Sequence, residues 1–108
     1  MQILLESLAI RKEIGDRGGM AWCLEKIAEI AHLREDEEHA ARLLGAAASI
    51  RASVNSVVDP ADQNTYNQLV EQIRINLTAD LFLPLWAEGE GMSLDHVFDY
   101  ALSFASSP

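Results

Sequence analysis

Four side chains in this sequence are sulfur or imidazole donors: Cys23, His32, His39 and His96. A zinc-like metal needs several such donors converging, and on a helix the useful spacing is i and i+4, which places both on one face. Nine residues separate Cys23 from His32, seven separate His32 from His39, and His96 is remote, so no metal set is read here. His39, beside Glu35, Asp36, Glu37 and Glu38, reads as part of a solvated helix start. Asp95, His96 and Asp99 bring an imidazole near two carboxylates, a combination capable of proton transfer. Carboxylates in a first helical turn are also ordinary partners of the N-terminal dipole, and that is the reading adopted. Ser93 reads as the cap of that helix, since no base or oxyanion donor is spaced around it. Arg11 and Arg51 fall near helix ends and complement the dipole there, with a bound acidic group as the alternative. The expectation is a chain without catalytic residues, cofactor or metal.

The bulk numbers agree with an interaction role. The chain has 108 residues, 49% hydrophobic and 23% charged, which suits one globular domain spanning 1–108 and is too apolar for disorder. Eight basic residues against seventeen acidic ones give a formal charge of −9. Phosphate backbones and anionic membrane surfaces are repelled by that balance, and no basic patch longer than Arg11 and Lys12 offsets it. One cysteine cannot form an internal disulfide, which favours a cytoplasmic setting. No apolar run approaches the roughly 20 residues of a membrane span. Met1 opens directly into a helical pattern without a signal peptide's basic region, as an excised segment would.

Helical periodicity organises the whole chain, and no strand is expected. Ile3, Leu4, Leu8, Ala9 and Ile10 form a first stripe that stops at Gly15, suited to a left-handed C′ position. Asp16 caps a second helix whose apolar face runs through Trp22, Leu24, Ile27, Ala28, Ile30, Ala31 and Leu33. The polar run 34–38 opens a third, which carries ARLLGAAASIR and ends near Val54 with Asn55 as its cap. Asp59 and Pro60 read as N-cap and N1 of a fourth helix containing Tyr66, Leu69, Val70, Ile73 and Leu77. Thr78 is expected to cap a fifth, closed by Gly89 and Gly91, in which Pro84 demands a kink or a later start. Ser93 caps a sixth, with Met92 and Val97 spaced as a hydrophobic staple.

A shift of forty residues lays Ile3, Leu4, Ile10, Arg11, Ile14 and Gly15 over Leu43, Leu44, Ile50, Arg51, Val54 and Asn55. Apolar face, arginine and cap coincide together, the mark of a repeated unit. Small residues recur within it: Ala28, Ala40 and Ala47 stand where helices packed about 8 Å apart cannot both carry leucine. Gly45 costs about 1 kcal/mol of helix propensity, so a close backbone contact is expected there.

This pattern resembles the tetratricopeptide repeat, whose small positions match Ala28, Ala40 and Ala47 and whose larger ones match Leu24, Ile27, Ala31 and Leu44. The usual terminal proline is replaced by Ala52, and the period is forty rather than thirty-four. The fold class expected is all-α: a tetratricopeptide-like antiparallel helix-hairpin solenoid of about six helices with a C-terminal capping helix. Residues 1–15 are then the second helix of a partial repeat, 16–55 one repeat, and 56–108 a degenerate terminal repeat with its cap. RLLGAAASIR at 42–51 and PLWAEGEGMSLDHVFDYAL at 84–102 further resemble the C-terminal region of large bacterial transcriptional regulators. Those proteins join a STAND-type NTPase to helical repeats and a helix-turn-helix or cyclase-like output domain. The resemblance implies a sensing module for a protein, peptide or small ligand, with ATP and DNA handled elsewhere. Carrying the repeat's concave-groove positions over selects Trp22, Glu25, Glu29 and His32, with the glutamates favouring a basic partner. The alternative reading is a self-association or solenoid-capping segment, with a homodimer as its product.

Overall fold

Three residues in left-handed backbone conformation set the rhythm of the first half: Gly15 (φ 77), Glu35 (φ 62) and Asn55 (φ 54), twenty positions apart. Each closes a helix in the same way. The next residue's N–H donates back to a carbonyl five positions earlier: Asp16 to Arg11 (2.8 Å), Asp36 to Ala31 (2.8 Å) and Ser56 to Arg51 (2.9 Å). This is the Schellman arrangement that satisfies otherwise orphaned helix-end carbonyls. The computed structural model describes residues 1–106, with six helices and no strand among them. The three closures end α1 (Gln2–Ile14), α2 (Arg17–Leu33) and α3 (Glu37–Ser53); α4 (Gln63–Leu77), α5 (Ala79–Glu90) and α6 (Leu94–Ala105) follow.

The residue after each of the first two closures also opens the next helix. Asp16 Oδ1 accepts from Gly19 N–H at 3.0 Å, and Asp36 Oδ1 accepts from His39 N–H at 3.3 Å. Ser93 does the same for α6, accepting from His96 N–H at 3.1 Å. Ser56 begins no helix. Asp59 accepts from Ala61 N–H at 2.8 Å and holds a turn, so α4 starts at Gln63, later than the expected Asp59–Pro60 start. Thr78 occupies the cap position of α5, but its side chain makes no capping bond. Helix α5 runs through Pro84; the proline ring removes a bond to the carbonyl of Asp80, an exposed residue of the first turn that can face water.

Helix α3 is the centre of the molecule and packs against α2, α4, α5 and α6. Enclosure on so many sides explains its composition. Ala40, Ala41, Ala46 and Ala47 are buried beside Leu43, Leu44 and Ile50, and Ala28 and Ala31 are fully buried on α2. Larger side chains at these places would hold the helices apart. Helices α3 and α5 approach closely. A Cβ on Gly45 would overlap the Trp86 carbonyl group, whose carbon lies 2.9 Å away, and a Cβ on Gly89 would overlap the Arg42 carbonyl and come within 2.9 Å of Ala46 N. Gly89 therefore does not close α5; it lies inside that helix, buried, as half of a reciprocal glycine crossing. The closing residue is Gly91, with ordinary right-handed φ of −82.

Helix α6 lies across α1 and α3 and buries Val97, Ala101 and Phe104. His39 is not the solvated side chain its acidic neighbours suggest. Its ring stacks on Tyr100 at 5.1 Å and tilts against Phe104 at 5.2 Å, while Nδ1 sits 2.7 Å from Asp36 Oδ2 but off the line of a hydrogen bond. On α1 only Leu8 is buried; Ile3, Ile10 and Ile14 point outward. No described helix is long and apolar enough to cross a membrane.

The crossing makes a clear prediction for urea denaturation. Gly45→Ala or Gly89→Ala drives a Cβ into the facing backbone and lowers stability by about 2 kcal/mol or more despite alanine's better helix propensity. Gly91→Ala, where an added Cβ meets atoms no nearer than 3.6 Å, is neutral or stabilises by about 0.5 kcal/mol.

Candidate functional site

Trp22, Glu25, Lys26 and Glu29 follow one another at helical spacing on α2 and share a face. Helix α4 lies opposite, presenting Tyr66 and Leu69, while Val58 and Asp62 close one end from the connecting segment. The narrow cleft between them encloses about 20 Å³, room for about one water molecule. Its walls are two aromatic rings and its rim is acidic. Lys26 already lies across it, with Nζ 5.7 Å from the centre of the Trp22 ring and 3.8 Å from Glu29 Oε2.

Arg51 holds Glu25, one of the cleft's lining residues, in place. Its Nε and Nη2 donate to the two oxygens of Glu25 at 2.7 and 2.9 Å, while Nη1 donates to Ser56 Oγ at 2.9 Å and to the Val57 carbonyl at 3.0 Å. Both partners are almost buried, at 11% and 9% side-chain exposure. The fork thus ties α2, α3 and the connection to α4 at one point, and Arg51 does more than complement a helix dipole. The bond to Glu25 raises the already high pKa of Arg51 against the opposing effect of burial. Burial also lifts the Tyr66 phenol above its usual 10.0; the Glu25 charge adds to this and Arg51 opposes it.

Of the groove positions, the structure brings Trp22, Glu25 and Glu29 to this cleft. Glu25 is committed to Arg51, leaving Glu29 and Asp62 as the acids available to a visitor. His32 looks into a separate open hollow with Leu33 and Asn76, where its Nδ1 lies 2.7 Å from Glu37 Oε1. Asn76 donates to the other oxygen of that carboxylate at 2.6 Å. Tyr66, Asp62 and Lys26 were not among the sequence candidates; Lys26 was available from its spacing to Trp22 and Glu29, whereas Tyr66 and Asp62 arrive only through the fold.

The remaining candidates disperse. Asp95, 84% exposed, pairs with Lys12 at 2.7 Å, and His96 borders a different hollow near Arg42, Met92 and Tyr100. Arg42 donates to Glu88 at 3.0 Å and to the Tyr100 hydroxyl at 3.3 Å. Cys23 is buried, its Sγ 3.5 Å from Ser7 Oγ. Compared with family models, with curated proteins and with solved structures, the chain matches none at a significant level.

Two outcomes follow. Arg51→Ala strands the Glu25 carboxylate and lowers stability by about 3 kcal/mol, part of which is recovered when Glu25→Ala is added, as denaturant titration of the single and double variants will show. The second concerns alkaline pH. Because burial holds the Tyr66 and Tyr100 phenols above 10.0, the unfolded chain releases these protons first. Their contribution is complete below about pH 10 and fades as pH climbs through the folded values. Tyr66→Phe therefore flattens the fall of stability above that pH, read by thermal melts in a pH series.

Proposed function

We propose that this chain is a non-enzymatic interaction module whose α2–α4 cleft receives a basic side chain of a protein or peptide partner. The observation that carries the reading is the composition of the cleft: Trp22 and Tyr66 as walls, Glu29 and Asp62 at the rim, and the Lys26 ammonium lodged over Trp22. A cation over an aromatic face beside carboxylates gains from both ring quadrupole and charge. A basic group from a partner makes the same contacts once Lys26 swings into water. The chain's charge of −9 draws such a partner and repels nucleic acid. The matched closures at Gly15, Glu35 and Asn55 and the sequence resemblance support reading the module as part of a tetratricopeptide-like array in a cytoplasmic bacterial regulator. Occupancy there biases the regulator's state by binding one conformation better than another.

Calorimetric titration with a short lysine- and arginine-rich peptide tests this. Binding is expected to weaken with added salt, and Trp22→Ala to reduce affinity about tenfold, equivalent to about 1.4 kcal/mol. Replacing Glu29 and Asp62 by their amides reduces both affinity and salt dependence. Equal binding of an acidic peptide, or affinity untouched by Trp22→Ala, contradicts the reading.

A further inference from the structure

The outer face of α1 is the most conspicuous unpartnered surface. Ile3, Ile10 and Ile14 are 80%, 58% and 71% exposed, and with Glu6, Ser7 and Arg11 they line an open groove of about 430 Å³. Isolated exposed apolar residues need no explanation, but three on one stripe of one helix do.

The internal repeat says what covers such a face. Helices α1 and α3 end on the same left-handed closure, at Gly15 and Asn55, and in each an arginine reaches the side chain just beyond it. Arg11 Nη1 lies 2.6 Å from Asp16 Oδ2, and Arg51 Nη1 lies 2.9 Å from Ser56 Oγ. Forty positions on, the groove becomes Leu43, Ala46, Ala47, Ile50, Arg51 and Val54. In α3 the first four of these are buried, and α2 is the helix that packs on α3 most extensively. The fork of Arg51 then closes on Glu25 of α2. In α1 the same arginine is 38% exposed, and its recorded partners, Asp16 and Ser7, are both local. Apolar stripe, small position and cation are all present on α1.

We propose that this groove docks a partner helix of α2's chemistry. Such a helix is amphipathic, runs antiparallel to α1, places small residues against Ser7 and leucine or isoleucine between the three isoleucines. It carries a glutamate that takes Arg11 as Glu25 takes Arg51. Two features argue for this occupant: an Arg11 that is 38% exposed and bound to groups of its own helix end, and continuity with the α2–α3 interface that the same residue pattern already builds. The surface is separate from the α2–α4 cleft, so this inference goes beyond the proposed function and stands or falls apart from it.

The test adds a synthetic peptide of residues 17–36 to the full chain under reducing conditions and follows binding by calorimetry and by chemical shifts of the α1 isoleucines. One-to-one binding is expected, with shifts centred on Ile3, Ile10 and Ile14. Ile10→Glu and, separately, Ile3→Glu weaken it about tenfold or more, and circular dichroism shows both variants folded, since both positions are exposed. Glu25→Gln in the peptide weakens binding about tenfold. Absence of binding, or binding indifferent to both isoleucine variants, overturns the proposal. So does a dimer in sedimentation that either variant dissociates, because the groove then belongs to a second copy. Indifference to the peptide's Glu25→Gln overturns the assigned pairing with Arg11.

Discussion

The architecture depends on the close crossing of α3 and α5, where Gly45 and Gly89 let two backbones meet without side chains between them. A central helix touched by four others cannot carry a leucine at every buried position, because each large side chain moves a neighbour outward. The chain gives up some transfer free energy at the alanines of α3 and recovers part of it as dispersion among closely packed atoms. With α5 seated, Phe82, Leu85 and Trp86 fill the space beside it and Phe82 meets Trp86 at 5.5 Å. With α2 held by the Arg51–Glu25 fork, the connecting segment is fixed and α4, packed on α3 and α5, faces α2 across the cleft. The candidate cleft is thus a consequence of central packing and one ion pair.

That ion pair also decides the electrostatics of the cleft. A nearly buried carboxylate without a partner costs several kcal/mol, and the bidentate geometry of Arg51 is what offsets it. Glu25 consequently serves as structure, and the acids left for recognition are more exposed and weaker individually. Aromatic contact must then supply most of the affinity of the site, with charge setting preference and encounter rate. Lys26 gives the empty cleft a resident cation, so binding exchanges one ammonium for another and the net gain depends on how much better a partner's group fits.

Features governed by local chemistry were legible in the sequence. Gly15 and Asn55 tolerate left-handed backbone, Asp16 and Ser93 have short acceptors in capping position, and the forty-residue register survives in the fold at both arginines. What was not legible depends on distant contacts. Glu35 takes a left-handed conformation that its side chain does not favour, because the closure between α2 and α3 demands it. Gly89 looks like a helix terminator until Arg42 is placed opposite. His39 looks solvated until α6 arrives with Tyr100 and Phe104. Among the groove residues, the repeat resemblance picked out Trp22, Glu25, Glu29 and His32, of which the first three meet at the cleft. The commitment of Glu25 to an arginine 26 positions away, and the separation of His32 into another hollow, needed the third dimension.

The most direct test of the central crossing is a proton–proton NOE spectrum of the uniformly labelled chain. A strong cross-peak between a Gly89 Hα and the amide proton of Ala46 is expected, since these backbones approach with nothing between them, together with contacts from the Gly45 Hα protons to Trp86. Absence of both signals in a well-resolved spectrum, with Gly45 and Gly89 instead showing contacts to separate helices or to solvent, would contradict the account of how this chain is held together.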